Sequence, residues 1–297
     1  MRCATPSNEA SAPATPSALA TPDSSTVAAA ATWLNLAPDH LDWHASLDTY
    51  AAAKARIWAL QRPGDAAIGY AADPVVMAEL AKAPARHVTF AAADADYRRQ
   101  GDELVGPRGV IASVASLRRA LPHDITNALA AAATVLESGV AGAEGVADAL
   151  ASFEGVAHRI SFVAEAGGVR YFDDSKATTP HAVVTALRAF DRVVLVAGGR
   201  NKGLDLGSLA DAADHVAAVV AIGEAGPLVA EVFASHCPVE LVATGMDDAV
   251  AAARRLARPG DVVLLSPACA SYDWYTGYGA RGDDFARAVR HQLGEGS

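Results

Sequence analysis

No apolar run in the 297-residue sequence reaches the roughly eighteen residues a helix needs to cross a bilayer, so no membrane span is expected. Cysteine is nearly absent. Cys3, Cys237 and Cys269 are too few and too scattered for a disulfide framework or a metal knot, and a reduced, cytoplasmic setting is the expectation. A formal charge of −10 leaves no concentrated basic surface and excludes nucleic acid as a partner. Neither G-x-x-x-x-G-K-[ST] nor G-x-G-x-x-G occurs anywhere in the chain. Lysine is the scarcest charge: of 24 basic residues only Lys54, Lys82, Lys176 and Lys202 are lysine. A bias toward Arg and Ala accounts for part of this. The lysines that remain are candidates for positions where an ammonium group serves and a guanidinium does not.

What is present suffices for two domains, since 52% of the residues are hydrophobic. Residues 1–30, rich in Ala, Thr, Pro and Ser, have no apolar period and are expected to be disordered; they also lack the apolar centre of a secretory signal. Order is expected from about Ala31. "SLDTYAAAKARIWAL" predicts a helix capped by Ser46, "PVVMAELAKA" a second between strands "GDAAIGYAAD" and "ARHVTFAA", and "PHDITNALAAAATVLESG" a third stopped by Gly139. From Val156 the pattern changes. Two strands flank the Gly-Gly turn of "HRISFVAEAGGVRYFDDS", and then helices and strands alternate to the end, with "GSLADAADHV" among the helices. Such alternation predicts an α/β fold whose mostly parallel sheet has helices on both faces and ligands at the carboxyl ends of its strands. Three polar groups follow strands: Asp173 to Thr178, Gly198 to Lys202 and Ser266 to Ser271. All three are expected to crowd one edge.

Lys54 falls on a helical stripe with Leu47, Tyr50, Ala51, Ile57 and Trp58. A lysine there is either a snorkelling stem or a chemically altered side chain, because an unpaired buried ammonium is costly. "DHLDWH" offers His40 and His44, which lack a third ligand for zinc but leave one histidine free to help hold Mg²⁺ beside a phosphate. The glycines of "AGGRNKG" allow close approach of a ligand to the backbone, with Lys202 as a charge for an anion, and the entrance to the last helix, with Ser271 and Arg281, suits a carboxylate.

Taken together, "LNLAPDHLDWHASLDTYAAAKARI", "HDITNALAAA", "AHRI", "DDSKATTPHA", "AGGRNKGLD" and "LLSPACASYDWYTGYGARGDDF" resemble the D-glutamate-adding branch of the Mur ligase family, in the family's order over residues 32–297. The resemblance implies residues 31–156 as part of a central ATP-binding α/β domain and residues 157–297 as a Rossmann-like C-terminal domain. It implies a cytoplasmic step of peptidoglycan precursor synthesis: ATP phosphorylates the carboxylate of UDP-N-acetylmuramoyl-L-alanine, and the amine of D-glutamate attacks the acyl phosphate. By the same resemblance Lys54, as a carbamate, and His40 serve a Mg²⁺ site. Asn127, Arg159 and Asp174 contact ATP, and Lys176 lies near the reacting groups. Thr178, Lys202, Ser271, Tyr272 and Tyr278 take D-glutamate.

The sequence departs from the family at Asp124 and Thr179, where Asn is usual. It also lacks the family's UDP-binding domain and P-loop, so an incomplete polypeptide is expected: a truncated reading frame, a half completed by a separately encoded N-terminal piece, or a decayed copy. Two other readings stand beside this one. One is a non-catalytic fragment that binds D-glutamate or an intact ligase; the other is a different ATP-dependent amino-acid ligase of the Mur and folylpolyglutamate synthase superfamily.

Overall fold

Apolar runs alternating with Ala-rich helices build three sheets in the computed structural model, which describes residues 27–38 and 43–294. Residues 1–26, most of the segment expected to be disordered, and His40 lie outside the described residues.

The first sheet is parallel, with β1 (Ala30–Trp33), β2 (Ala66–Tyr70) and β3 (Arg86–Phe90) in that order. Helix α1 (Leu47–Ala55) begins where its sequence says: Ser46 Oγ accepts from the Thr49 amide at 3.2 Å, and Thr49 Oγ1 accepts from the Ser46 amide at 3.0 Å. It ends five residues before the expected Leu60. Trp58 and Gln61 turn inward instead, Trp58 Nε1 donating to the Ala31 carbonyl at 2.9 Å and Gln61 Nε2 to those of Ala28 and Ala66 at 3.0 and 2.9 Å. These bonds dock the turn on β1 and β2, and tertiary contact overrides helix propensity.

Helix α2 (Pro74–Leu80) has Asp73 as its N-cap. Asp73 accepts from the amides of Val75 and Val76 at 2.9 and 3.1 Å, and from Leu36 N at 2.8 Å, so one carboxylate caps a helix and ties down the exit of β1. Asp73→Ala is expected to cost about 1–2 kcal/mol in denaturant unfolding, and Asp73→Asn less. Equal stability of Asp73→Ala and the parent would show that the cap contributes nothing.

Helix α3 (Pro122–Ser138) ends at Gly139, whose φ of +72° is the left-handed stop the sequence called for. Its buried face, Ile125, Leu129, Ala132 and Ala133, shares a core with Ile68, Val88 and Phe90 of β2 and β3. Four elements were not anticipated: the antiparallel strands β4 (Arg98–Gln100), β5 (Glu103–Gly106) and β6 (Gly109–Ser113), and helix α4 (Ala143–Ser152).

The largest sheet contains β7 (Ser161–Ala166), β8 (Val169–Asp173), β9 (Val193–Gly198), β10 (Val216–Ile222), β11 (Val239–Val242) and β12 (Val262–Ala268). Its spatial order is β11-β10-β9-β12-β8-β7, parallel throughout except for β7. Alternate residues face opposite cores, which is the mostly parallel, two-faced sheet the alternation predicted. Val193, Leu195 and Ala197 meet α5 (Pro180–Leu187) and α6 (Gly226–Phe233); Val194 and Val196 meet α7 (Met246–Leu256) and α8 (Tyr278–Leu293). One helix is of another kind. Leu206–His215 is 3₁₀, broken at Ala212, where an α-helix was expected. Before the break its buried residues Leu206 and Leu209 are three positions apart, the period of a 3₁₀ turn, and Ala212 and Ala213 are buried at the break itself.

Candidate functional site

The three polar groups do meet. Strand β12 lies between β8 and β9, so the chain leaving all three emerges along one edge. Backbone bonds join the emerging segments: Asp174 N donates to Leu265 O at 2.8 Å and Ala268 N to Ala177 O at 3.0 Å, while Arg200 and Ala270 exchange bonds of 2.8 and 3.0 Å. The glycines of "AGG" serve this close approach of strands. A Cβ on Gly198 would overlap the Ile222 carbonyl, and one on Gly199 the Ala270 carbonyl, with both φ angles near +130°. The close neighbour is therefore protein backbone, where ligand approach was the expected reason.

Arg281, on the first turns of α8, is 1% exposed and reaches across the edge. Its Nε donates to Ser175 Oγ at 2.9 Å and its Nη2 to the carbonyls of Ser175 and Cys269 at 3.0 and 3.1 Å, leaving Nη1 buried and unpartnered. Burial pushes its pKa down to about 10. Arg281 thus braces two loops, where the sequence had suggested a carboxylate ligand. Ser175 Oγ in turn donates to Tyr278 O at 2.7 Å, and the Tyr278 ring lies 5.3 Å under Lys176 Nζ. His158 Nδ1 sits 2.7 Å from Asp173 Oδ2, and no side chain fits at Gly282 beside this pair.

A cleft of about 670 Å³ opens between β1, α3 and α5 and receives Asn127, Arg159 and Asp174 together. Asp174 is 2% exposed; it accepts from Ser266 Oγ at 2.7 Å and Ile160 N at 3.3 Å, and burial raises its pKa to about 7. The Arg159 guanidinium is exposed and makes no hydrogen bond or ion pair among the described residues. His123 shares the cleft and was not singled out from the sequence. Both of its ring nitrogens are buried without hydrogen-bond partners, and burial lowers its pKa. Its distance of 3.4 Å to Asp124 Oδ1 is a near approach without hydrogen-bond geometry. The spacing of His123 and Asn127, one helical turn apart on one face, was the available signal.

Lys54 is half-buried, and its Nζ lies 4.9 Å over the Tyr50 ring. The apolar stripe expected around it is incomplete: Ala51 and Trp58 are buried, whereas Leu47 and Ile57 are 36% and 48% exposed. Helix α1 stops before Ile57, which removes the second turn of the stripe. Lys54 lines a smaller hollow with Thr32, Leu34 and Asn35, which also line the large cleft. Among the described residues, no group of three or more His, Cys, Asp or Glu is placed to hold a metal ion, and an unmodified Lys54 ammonium would repel one. Of the amino-acid set, Ser271 is buried, Thr178 half-buried, and Lys202, Tyr272 and Tyr278 exposed; the first four follow the three adjoining strand ends and Tyr278 opens α8.

A doubly wound sheet carries polar loops at its carboxyl edge, beside a cleft shared with a second α/β unit, and in such sheets ligands collect at that edge. Residues 15–135 match the Mur ligase middle domain, and residues 158–269 match the Mur ligase glutamate ligase domain. The chain belongs to the Mur ligase family. It is 47% identical to a UDP-N-acetylmuramoylalanine–D-glutamate ligase of Frankia casuarinae over 277 residues, 89% of this chain and 58% of that protein. It is 42% identical to the same-named protein of Streptomyces coelicolor, over 86% of this chain and 59% of that one. The chain therefore spans somewhat under two thirds of the length of these relatives.

Among solved structures, MurF of Acinetobacter baumannii superposes with a TM-score of 0.64 at 20% identity, covering 87% of this chain and 60% of that one. MurF of Thermotoga maritima in complex with ADP does so with a TM-score of 0.64 at 15% identity, covering 90% and 62%. These two likenesses concern the fold.

Proposed function

We propose that this chain forms the D-glutamate-accepting part of a ligase that joins D-glutamate to UDP-N-acetylmuramoyl-L-alanine at the expense of ATP, in the cytoplasm. Residues 31–156 act as part of the central ATP-binding domain and residues 157–297 as the C-terminal domain. One observation carries the reading: Lys176, Thr178, Lys202 and Ser271 stand just past the adjoining ends of β8, β9 and β12, and Tyr278, which opens α8, is tied to them where its carbonyl accepts from Ser175 Oγ at 2.7 Å. The sequence and the relatives' names support it independently.

In this reading Asn127, Arg159 and Asp174 take the nucleotide in the cleft, with Arg159 as the free cation for phosphate. Lys202 and Ser271 hold the carboxylates of D-glutamate, while Thr178, Tyr272 and the Tyr278 backbone complete its contacts. Lys176 lies between the two groups, where negative charge gathers as the acyl phosphate is attacked. A Mg²⁺ role rests on carboxylation of Lys54 and on His40; the described side chains do not by themselves fit the ion. The outer edge of β1 pairs with no strand among the described residues, which suits a further strand from a separately encoded N-terminal half carrying the phosphate loop.

The test is titration of the chain with D- and L-glutamate, followed by NMR. D-glutamate is expected to shift amides at residues 176–178, 200–203 and 270–278. Lys202→Ala is expected to weaken binding about ten- to hundredfold, as loss of a charge-assisted contact predicts. Identical shifts for both enantiomers, or D-glutamate shifts that survive both Lys202→Ala and Ser271→Ala, would sink the assignment.

A further inference from the structure

His158, Arg159 and Ile160 close the segment between α4 and β7, beside the boundary of the two units, and His158 and Ile160 are held in an unfavourable conformation from both sides. His158 and Ile160 have φ of +59° and +46°, and a β-branched residue in that region is strained. Such geometry persists only where the surroundings enforce it. On the C-terminal side, Asp174 Oδ1 accepts from Ile160 N at 3.3 Å, and Lys176 N donates to His158 O at 3.0 Å. On the other side a single side chain does the work. Arg119 Nη1 donates to the carbonyls of both Arg159 and Ile160, at 2.8 and 2.7 Å.

Arg119 is itself fixed. Its Nε and Nη2 form a two-pronged pair with Asp124 at 2.7 and 2.6 Å, and Asp124 also accepts from Leu121 N at 3.2 Å, at the start of α3. A guanidinium suits this task because its planar fork serves a carboxylate on one edge and two carbonyls on another, which an ammonium does not. The network runs unbroken from α3 through Asp124 and Arg119 to the 159–160 backbone, then through Ile160 N and Asp174 to Ser266 on β12. Between its two anchored ends the one group left without a partner is the Arg159 side chain, which lines the cleft.

This geometry points to Arg119, held by Asp124, as the positioning residue that aims Arg159 into the nucleotide cleft. The inference rests on the nucleotide reading of that cleft given above. Arg119 does not line that cleft; it acts by fixing the backbone from which Arg159 projects. Asp124, where relatives were expected to carry Asn, supplies the charge that keeps the Arg119 guanidinium in place one helical turn before Asn127.

Two measurements on the full chain test this. The first is amide hydrogen exchange at residues 159–161. Arg119→Ala is expected to speed it by about tenfold or more, Asp124→Asn by less, because Asn retains an acceptor for Leu121 N. The second is affinity for ADP. Arg119→Ala is expected to weaken it about tenfold, and that loss is expected to vanish when Arg159→Ala is already present, since the one acts through the other. A purely structural role would lower affinity equally in both backgrounds. Unchanged exchange in Arg119→Ala, faster exchange with ADP affinity intact, or full additivity with Arg159→Ala each overturns the inference. If the unaltered chain fails to bind ADP at millimolar concentration, the nucleotide reading of the cleft falls. The exchange result then decides on its own whether Arg119 holds the segment.

Discussion

Gly198→Ala is expected to unfold the C-terminal sheet or destabilise it by about 4 kcal/mol or more, well beyond the usual range for a point substitution. The cause is backbone against backbone. A Cβ at Gly198 would overlap the carbonyl oxygen of Ile222 and approach its carbon to 2.9 Å, and φ is +130°. Neither atom belongs to a flexible side chain, and β9 and β10 are paired in the middle of the sheet, so relief requires the strands to separate. Gly203→Ala is the control. It shares a positive φ, +80°, but a Cβ there meets nothing within 4 Å, and its expected cost is about 1 kcal/mol. Denaturant unfolding followed through Trp274, which packs on this sheet, separates the two. Equal midpoints for both variants would show that the sheet edge is looser than the packing implies.

The second large effect concerns Asp174 and pH. Burial raises its folded-state pKa from the ordinary 3.8 to about 7, so the native protein binds a proton that the unfolded chain releases. The stabilisation from that proton is fully present below about pH 4, is lost as pH rises through 7, and is constant above. A shift of about three units corresponds to roughly 4 kcal/mol. Asp174→Asn keeps one oxygen to accept from Ile160 N, its Nδ2 can donate to the Ser266 hydroxyl oxygen, and it has nothing to ionise. The variant is therefore expected to match the parent near pH 4 and to exceed its stability by up to about 4 kcal/mol at pH 8. Nucleotide affinity is expected to fall in the same variant, as happens where a site keeps a costly charge for function. Urea unfolding of both proteins from pH 4 to 8 gives the difference directly; a difference that does not change with pH would place the Asp174 pKa in the ordinary range.

The alternation after Val156 was legible because buried parallel strands read as unbroken apolar runs, and their polar exits then marked the edge where the three polar groups meet. Ser46 and Gly139 were legible because capping is local chemistry. Strands β4 to β6 were not, since Arg98–Gln100 carries no alternation and takes its form from pairing with Glu103–Gly106. The stripe around Lys54 was drawn too long because α1 ends at Ala55, where docking of Trp58 and Gln61 takes over. His123 was within reach through its spacing from Asn127. Arg119 was not: its partners Arg159 and Ile160 lie 40 and 41 residues away, and nothing in "SLRRAL" distinguishes it from Arg118.

The placement of β12 has a consequence for how the chain leaves the ribosome. This strand, Val262–Ala268, is the last made in the sheet, yet it pairs between β9 and β8. Until it emerges, β7 and β8 form one hairpin, β9 to β11 form another patch, and no backbone bonds link the two. Roughly a hundred residues of nascent chain, from Ser161 onward, must wait with both inner edges unpaired. At a synthesis rate of about 5–20 residues per second that is a delay of several seconds. The Gly198 to Lys202 loop and the Asp173 to Thr178 loop have no fixed relation in that interval, so this edge of the sheet assembles late and in one step. Mutations that slow the docking of β12 are then expected to lower the yield of folded protein more than the stability of what folds.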